Sequence, residues 1–545
     1  MSPLLHRRRA GQALLGLACA VTASVASAQP ALAVRGLSAD VAAPGTVIEI
    51  RMDAMKVDSI EWDPDTSRAR SLPRSTTGAV FSVPRDARPG EHKVVVTADG
   101  RSSPPIPLRV AGRERQMAPR IDGITLSSAR FAGGRIRAVL MVHAANPDVG
   151  ASLLVDGQPV TAQLSRVLFA GRPKPESYQY PISHFGTLWA EIDRPLGSTM
   201  SVVVVNENDL RSNERGLQLP SLSEDLDSDG DGIPDQIEIQ GIDSNGDGIR
   251  ELDLAAMGAS PLRKDLFVEV DWMQGARHQA TERTWQIVQQ AFERMPILNS
   301  DGSIGVRVWI DRGQGGAFTG GGTLLADRNC ISLGNHNTAN IVGTEVIKAN
   351  PAHFAPARAG VFHYGVLGHQ GFETETASGC GFRTSRRNDK RSGSGEILGD
   401  DFYISCPPCG ERAMASVVFH ELGHNLGLLH GGHEDLNLKP SYPSTMNYLY
   451  QWPGVDVDCD LRGDGIDSFS WGMLASLDEG RLRESEGVCE SKFYDWNANG
   501  DTDSGTVAVH LTKGKAYRVL TDHADIGALR FDFRPRPSHV SAGGP

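Results

Sequence analysis

The chain has 545 residues, 40% hydrophobic and 22% charged, with 54 basic and 66 acidic side chains and a formal charge of −12. At roughly 100–200 residues per domain that length suffices for about three to five domains, and the acidic balance excludes nucleic-acid binding, which needs clustered Lys and Arg to displace counterions. With 60 Gly and 31 Pro against 6% aromatic residues, the composition points to turn-rich β domains rather than helical bundles.

Residues 1–28 read as a secretory signal. Arg7, Arg8 and Arg9 precede an apolar run from Ala10 to Val25, and Ala26-Ser27-Ala28 supplies a small-residue cleavage site. The protein is therefore expected to be secreted, periplasmic or held at the cell surface, with no transmembrane segment in the mature chain. Twin-arginine export and lipidation at Cys19 both stay open. The other six cysteines, Cys330, Cys380, Cys406, Cys409, Cys459 and Cys489, allow up to three disulfides. Cys406 and Cys409 are expected to form a structural bridge, because no thioredoxin-like pattern surrounds them.

Residues 31–112 carry short alternating runs such as Val47-Ile48-Glu49-Ile50-Arg51 and His92-Lys93-Val94-Val95-Val96 between Pro-Gly turns, the signature of a β-sandwich. A second set spans 117–220, with runs at 136–142 and 200–205 and a hairpin turn at Asp156-Gly157. Both stretches resemble TIG-type immunoglobulin-like domains, the second more closely through Val155-Asp156-Gly157 and Val204-Val205-Asn206. That resemblance implies a spacer or adhesive role toward a cell-surface or matrix partner.

Residues 224–255 concentrate the acidity, with eleven acidic side chains and one basic one between 224 and 253. Asp227, Asp229, Asp231, Asp235 and Glu238 place oxygen donors at positions 1, 3, 5, 9 and 12 of a loop with Gly232 at position 6, the spacing that wraps a calcium ion. Asp243, Asn245, Asp247 and Glu251 repeat it sixteen residues on, with Leu254 at position 12. Together the loops resemble EF-hand-like or thrombospondin type-3 calcium repeats, and are expected to form a hinge that is rigid with calcium and mobile without it.

From 262 to 486 the grammar changes to a strand at 266–272, an apolar-spaced helix from Glu282 to Met295 and a strand at 304–310, an α/β or α+β mixture of catalytic type. Between 312 and 400 the chain is Gly-rich with few clear elements, which predicts long surface loops. The strongest signal follows at His420-Glu421-Leu422-Gly423-His424, after an apolar run reading as a buried helix. Four residues advance an α-helix by about 6 Å and just over one turn, so His420 and His424 share a face. Glu421 projects beside them, and Gly427 lets the chain turn so that His430 arrives as a third ligand. Three protein ligands leave a position for water, the mark of a catalytic rather than structural zinc.

The HExxHxxGxxH element, followed sixteen residues after His430 by Met446 in Ser444-Thr445-Met446-Asn447-Tyr448, resembles the metzincin zinc endopeptidases. That resemblance implies a two-subdomain α/β catalytic domain, one catalytic zinc on His420, His424 and His430, Glu421 as general base, Met446 as the apolar floor and Tyr448 near the metal. Protein or peptide substrates follow from it. Gly431, after the third histidine, fits neither the astacin nor the serralysin pattern, and the stretch looks more like bacterial exported metallopeptidases. His433 is expected at the surface. The competing reading is a calcium-dependent surface adhesin or binding protein with an inactive protease domain; the intact set of His420, Glu421, His424, His430 and Met446 favours the enzyme.

Residues 487–545 hold a third candidate calcium loop, Asp495, Asn497, Asn499 and Asp503, with Thr506 at position 12. Runs at 507–511 and 517–520 predict a small β unit. The expected architecture is thus two all-β immunoglobulin-like sandwiches, a calcium-loop linker, an α/β metzincin-like domain and a small β-rich C-terminal segment, holding one zinc and two or three calcium ions.

Overall fold

The protein is described as a computed structural model covering residues 31–532, except 38–40, 43, 53–56, 73–78, 85, 111–117, 170–183, 208, 276–278, 372–373, 377–378, 382–391, 407–408, 458, 473 and 489–492. The signal and the tail after 532 lie outside it. The chain is mostly β-sheet with few helices, divided among several sheets as in a multidomain protein.

The first β unit packs a three-stranded antiparallel sheet, Val34–Leu37, Val47–Met52 and Val80–Ser82, against a larger one built on Gly90–Ala98, Ser59–Trp62 and Ile106–Val110. The alternation visible in the sequence sends Ile48, Ile50, Ile60, Trp62, Phe81, Val94, Val96 and Leu108 into one shared core. In the second unit Arg120–Ala132, Arg135–Ala145, His184–Pro195 and Gln163–Phe169 form one antiparallel sheet, and Gln158–Val160, Ser152–Val155, Thr199–Val205 and Arg215–Gln218 the other. Its hairpin turns at Asp156 (φ 52°) and Gly157 (φ 73°), the left-handed pair that the Asp-Gly signal predicts.

The third unit is built differently. Its central strand, Asp265–Met273, pairs in parallel with Arg307–Asp311 on one side and Phe362–Leu367 on the other. Asp401–Ile404 continues the sheet in parallel, and Gly393–Gly395 closes it as an antiparallel edge. Along the central strand Leu266, Val268 and Val270 enter the core beneath the helices Glu282–Glu293 and Glu411–Asn425, while Phe267 and Met273 enter a second core on the opposite face. Both faces are covered, as a parallel sheet requires.

Three expectations are corrected. Phe362–Leu367, within the stretch expected to lack clear elements, is a buried strand of this sheet: Phe362, Tyr364 and Val366 enter one core, while His363, Gly365 and Leu367 face the helices. The strand expected over 304–310 begins at Arg307, because Gly305 (φ 86°) turns against the backbone of Glu293. The runs at 507–511 and 517–520 join a small β cluster, but it takes its partner strands from before residue 487. Thr506–Val507 pairs with Leu482–Arg483 and Val519–Leu520 with Leu477–Asp478, and Ile526, Leu529 and Phe531 join the core under the helices. Cys406 and Cys409 are bridged as expected, with Cα atoms 5.4 Å apart. Cys330 and Cys459 are each held in a disulfide as well.

Two buried polar groups tie the sheet together. Arg358 reaches Glu269 Oε2 and Asp311 Oδ2, each at 2.6 Å, and Asn425 Oδ1 lies 3.2 Å from His363 Nδ1. Arg358→Met would strand two buried carboxylates and should destabilise the protein by about 3–5 kcal/mol in chemical denaturation. Burial holds the His363 imidazole down to about 4, so the unfolded chain, titrating near 6.5, takes up the proton first as pH falls. The stability contributed by neutral His363 is therefore present above pH 6.5 and lost as pH falls toward 4. The stability difference between the parent and His363→Gln should shrink by up to about 1.4 kcal/mol per pH unit across that window; a difference flat with pH would refute it.

Candidate metal centre

The helix Glu411–Asn425 is buried from Met414 to Asn425. Its last turn sets His420 and His424 side by side, with ring centroids 4.8 Å apart. Gly427 (φ 96°) then reverses the chain and brings His430 to 5.4 and 4.9 Å from those rings. One ligand atom from each of the three histidines lies within 4.8 Å of the others. Every Nδ1 faces an acceptor: Thr445 O at 2.9 Å from His420, Leu428 O at 2.8 Å from His424, and Asp435 Oδ1 at 2.6 Å from His430. Nδ1 is thereby the donor on each ring and Nε2 the atom left for ligation, the orientation by which partners around a metal site fix the tautomer. Burial first, then the neighbouring imidazoles, pushes His420 well below the usual histidine range and His424 to about 4. The rings of His420 and His424 are therefore neutral at physiological pH, as ligation requires. The donor set fits zinc.

Met446 is fully buried and lies so close to Gly423 that a Cβ there would collide with its Sδ. Tyr448 is 49% exposed, with its ring 4.6 Å from His430 and 5.6 Å from His420. Glu421 is buried beneath the edge strand, where a Cβ on Gly393 would stand 2.6 Å from Glu421 Oε1. His433 is exposed and outside the triad.

Several contributors escape the sequence reading. Asp435 has only its position five residues after His430 to announce it. Lys439 is fully buried, and its Nζ donates to Gly431 O (2.8 Å) and Glu434 Oε1 (3.0 Å), bracing the turn after His430. Asp525 accepts from Tyr442 Oη at 2.8 Å, Ser444 Oγ at 2.7 Å and Ser470 N at 2.9 Å, so the C-terminal segment anchors the methionine turn.

The acidic loops share one hydrogen-bond pattern. Position 1 accepts from the N–H groups of positions 4 and 6, at 2.7 and 2.9 Å in both loops: Gly230 and Gly232 donate to Asp227, Gly246 and Gly248 to Asp243. Position 9 accepts from position 2 at 2.7 Å, Ser228 to Asp235 and Ser244 to Glu251. Asp227, Asp229 and Asp231 converge in the first loop, and Asp243, Asp247 and Glu251 in the second, with Asn245 Oδ1 receiving Asp247 N at 2.8 Å. The first loop is enclosed and the second exposed. Burial, then Asp231 and Asp229, pushes Glu238 up to about 11. In the third loop Asn499 and Gly500 donate to Asp495, and the amides of Asn497 and Asn499 turn toward Asp503 at 2.8 and 3.2 Å. The same pattern recurs, unforeseen, at Asp456: Asp460 and Leu461 donate to it, and Val457 donates to Asp464. Leu461 (φ 61°) stands where the other loops have glycine, which hid this loop from the motif, and Asp467 at position 12 turns to Arg412.

No protein-family model matches the chain, and no curated protein matches it. Among solved structures, bovine butyrophilin is similar over 33% of this chain and 94% of its own, at 10% sequence identity and a TM-score of 0.15. A superposition that poor carries no argument.

Gly393→Ala should displace the Glu421 carboxylate, the flexible end of that contact, rather than unfold the sheet. If the site binds zinc and hydrolyses a peptide, the variant should keep the zinc stoichiometric and lose at least tenfold in rate; unchanged hydrolysis would show that the edge strand does not constrain Glu421.

Proposed function

We propose that the chain is an exported zinc-dependent metalloendopeptidase of metzincin type. The reading is carried by one observation: three imidazoles converge with every Nδ1 engaged, beside the buried carboxylate of Glu421. His420, His424 and His430 hold the zinc through Nε2, and the ion, when bound, supplies Lewis-acid polarisation of a scissile carbonyl and acidifies water toward neutral pH. Glu421 accepts the proton of the attacking water and delivers it to the leaving amine. Tyr448, half-exposed at the rim, places its phenol to donate to the developing oxyanion. Met446 keeps the floor apolar.

In this reading the two N-terminal β units are immunoglobulin-like modules that present the catalytic domain to a cell-surface or matrix partner, and the acidic loops hold structural calcium. Export by the N-terminal signal belongs to the same proposal. Among the described residues no helix is long and apolar enough to cross a membrane.

The mature chain should contain one zinc and hydrolyse casein or gelatin. Glu421→Gln should keep the zinc and lose at least about 100-fold in rate, whereas His424→Ala should lose the zinc itself. Hydrolysis by Glu421→Gln equal to that of the zinc-loaded parent would refute the assignment.

A further inference from the structure

The first acidic loop is held from three sides. Leu126, on a strand of the second β unit, donates to Ser228 O at 2.9 Å, Lys264 Nζ donates to the carbonyls of Asp229 and Gly230, and a Cβ on Gly232 would stand 2.6 Å from Phe531 O. Asp229, Asp231 and Glu238 are only 2%, 3% and 1% exposed. Both carboxylate oxygens of Glu238 and Oδ2 of Asp229 are buried with no hydrogen-bond partner among the described residues. Asp265, outside the loop, is 1% exposed and begins the central strand of the parallel sheet. Its backbone N–H donates to Asp231 Oδ2 at 2.8 Å. One carboxylate oxygen each from Asp231, Glu238 and Asp265 lies within 4.8 Å of the others, and the same holds for Asp227, Asp229 and Asp231. Asp231 belongs to both groups and joins them.

The cations of this neighbourhood do not fill the site. Lys264 is committed to backbone carbonyls, and Arg263 Nε stands 3.5 Å from Asp265 Oδ1 on the strand side. Buried polar atoms are almost always satisfied, and ionised carboxylates without a partner are the costliest exception. Calcium takes six to eight oxygen ligands and tolerates irregular geometry, which suits carboxylates drawn from a loop and a strand. Asp265 is oriented for this by Trp309 Nε1 (2.8 Å to Oδ1) and Ser260 N (2.9 Å to Oδ2).

We propose that Asp265 is a ligand, supplied by the catalytic sheet, of a calcium ion held in the loop Asp227–Glu238, so that the ion clamps the acidic segment onto the central strand. This rests on the reading of the acidic loops as calcium sites and adds the residue that joins one of them to the sheet. The second loop, whose acids are all exposed, is then the weaker site.

The test uses the zinc-loaded mature chain with Tb³⁺ and Ca²⁺ as probes. Trp309 touches Asp265, so Tb³⁺ in this site is sensitised through Trp309 and displaced by Ca²⁺. Asp265→Asn should weaken Ca²⁺ binding at this site at least tenfold and halve the calcium-dependent rise in Tm, with zinc content unchanged. Asp265→Glu keeps the charge but moves the oxygens by one methylene. Ligation predicts that it too binds at least tenfold more weakly, and affinity within twofold of the parent would overturn the proposal should Asp265→Asn fail to fold. Loss of binding in Glu238→Gln but not in Asp265→Asn would sink the role of Asp265 and leave the loop a calcium site. No Ca²⁺-displaceable, Trp309-dependent emission and no calcium-dependent shift in the parent's Tm would sink both.

Discussion

The burial of one helix governs the architecture around the candidate metal centre. Between Met414 and Asn425 the helix Glu411–Asn425 has no exposed face, so every neighbour must fit it. Phe419 stacks on Phe469 at 4.2 Å and meets Phe292 at 4.9 Å, locking its rotation against the first helix and the chain beyond the methionine turn. With rotation fixed, the rings of His420 and His424 need only their Nδ1 acceptors to be aimed. Those acceptors are backbone carbonyls of Thr445 and Leu428, rigid because the surrounding turns are hydrogen-bonded in their own right. Glycine is required wherever a second chain crosses the helix closely, at Gly423 beneath Met446 and at Gly393 beside Glu421.

Away from that helix the third unit is organised by buried carboxylates, and each is answered differently. Glu269 and Asp311 share the guanidinium of Arg358. Asp400 and Asp401 share the ammonium of Lys348, at 2.5 and 2.6 Å. Asp525 gathers hydroxyl and amide donors and the His523 ring, and through Ser444 it links the C-terminal segment to the floor of the candidate metal centre. These arrangements follow one rule, that a charge removed from water must be matched by opposite charge or by aimed dipoles. In the loop Asp227–Glu238 both oxygens of Glu238 and Oδ2 of Asp229 are buried with no donor among the described residues, and the cation proposed there would answer them.

Legibility in the sequence tracked how local the governing physics was. The alternation of Val94 and Val96, or of Leu153 and Val155, depends on side chains two residues apart, and those strands lie where the pattern puts them. Phe362–Leu367 was hard to read because its short alternation lies within Gly-rich sequence, and the buried place of His363 depends on Asn425, 62 residues away, as that of Gly365 depends on the Phe402 ring of the next strand. The loop at Asp456 was hidden because Leu461 takes a backbone conformation for which glycine is the expected signal. Asp265 and Asp525 carry no motif, and their roles arise only from what packs against them.

The sequence by itself determined the identity and spacing of the three histidines, the adjacent Glu421, the two glycine-bearing acidic loops and the alternating β units, because each is a property of neighbouring residues along one element or turn. Only the tertiary structure decided that Asp435, Thr445 and Leu428 orient the imidazoles, that Gly393 opens room for Glu421, and that the first acidic loop is sealed against Asp265 while the second faces water. Hydrogen-bond acceptors, close approaches and burial are set by segments brought together in space, and a carboxylate's chemistry depends on how much water and how many donors that assembly leaves it.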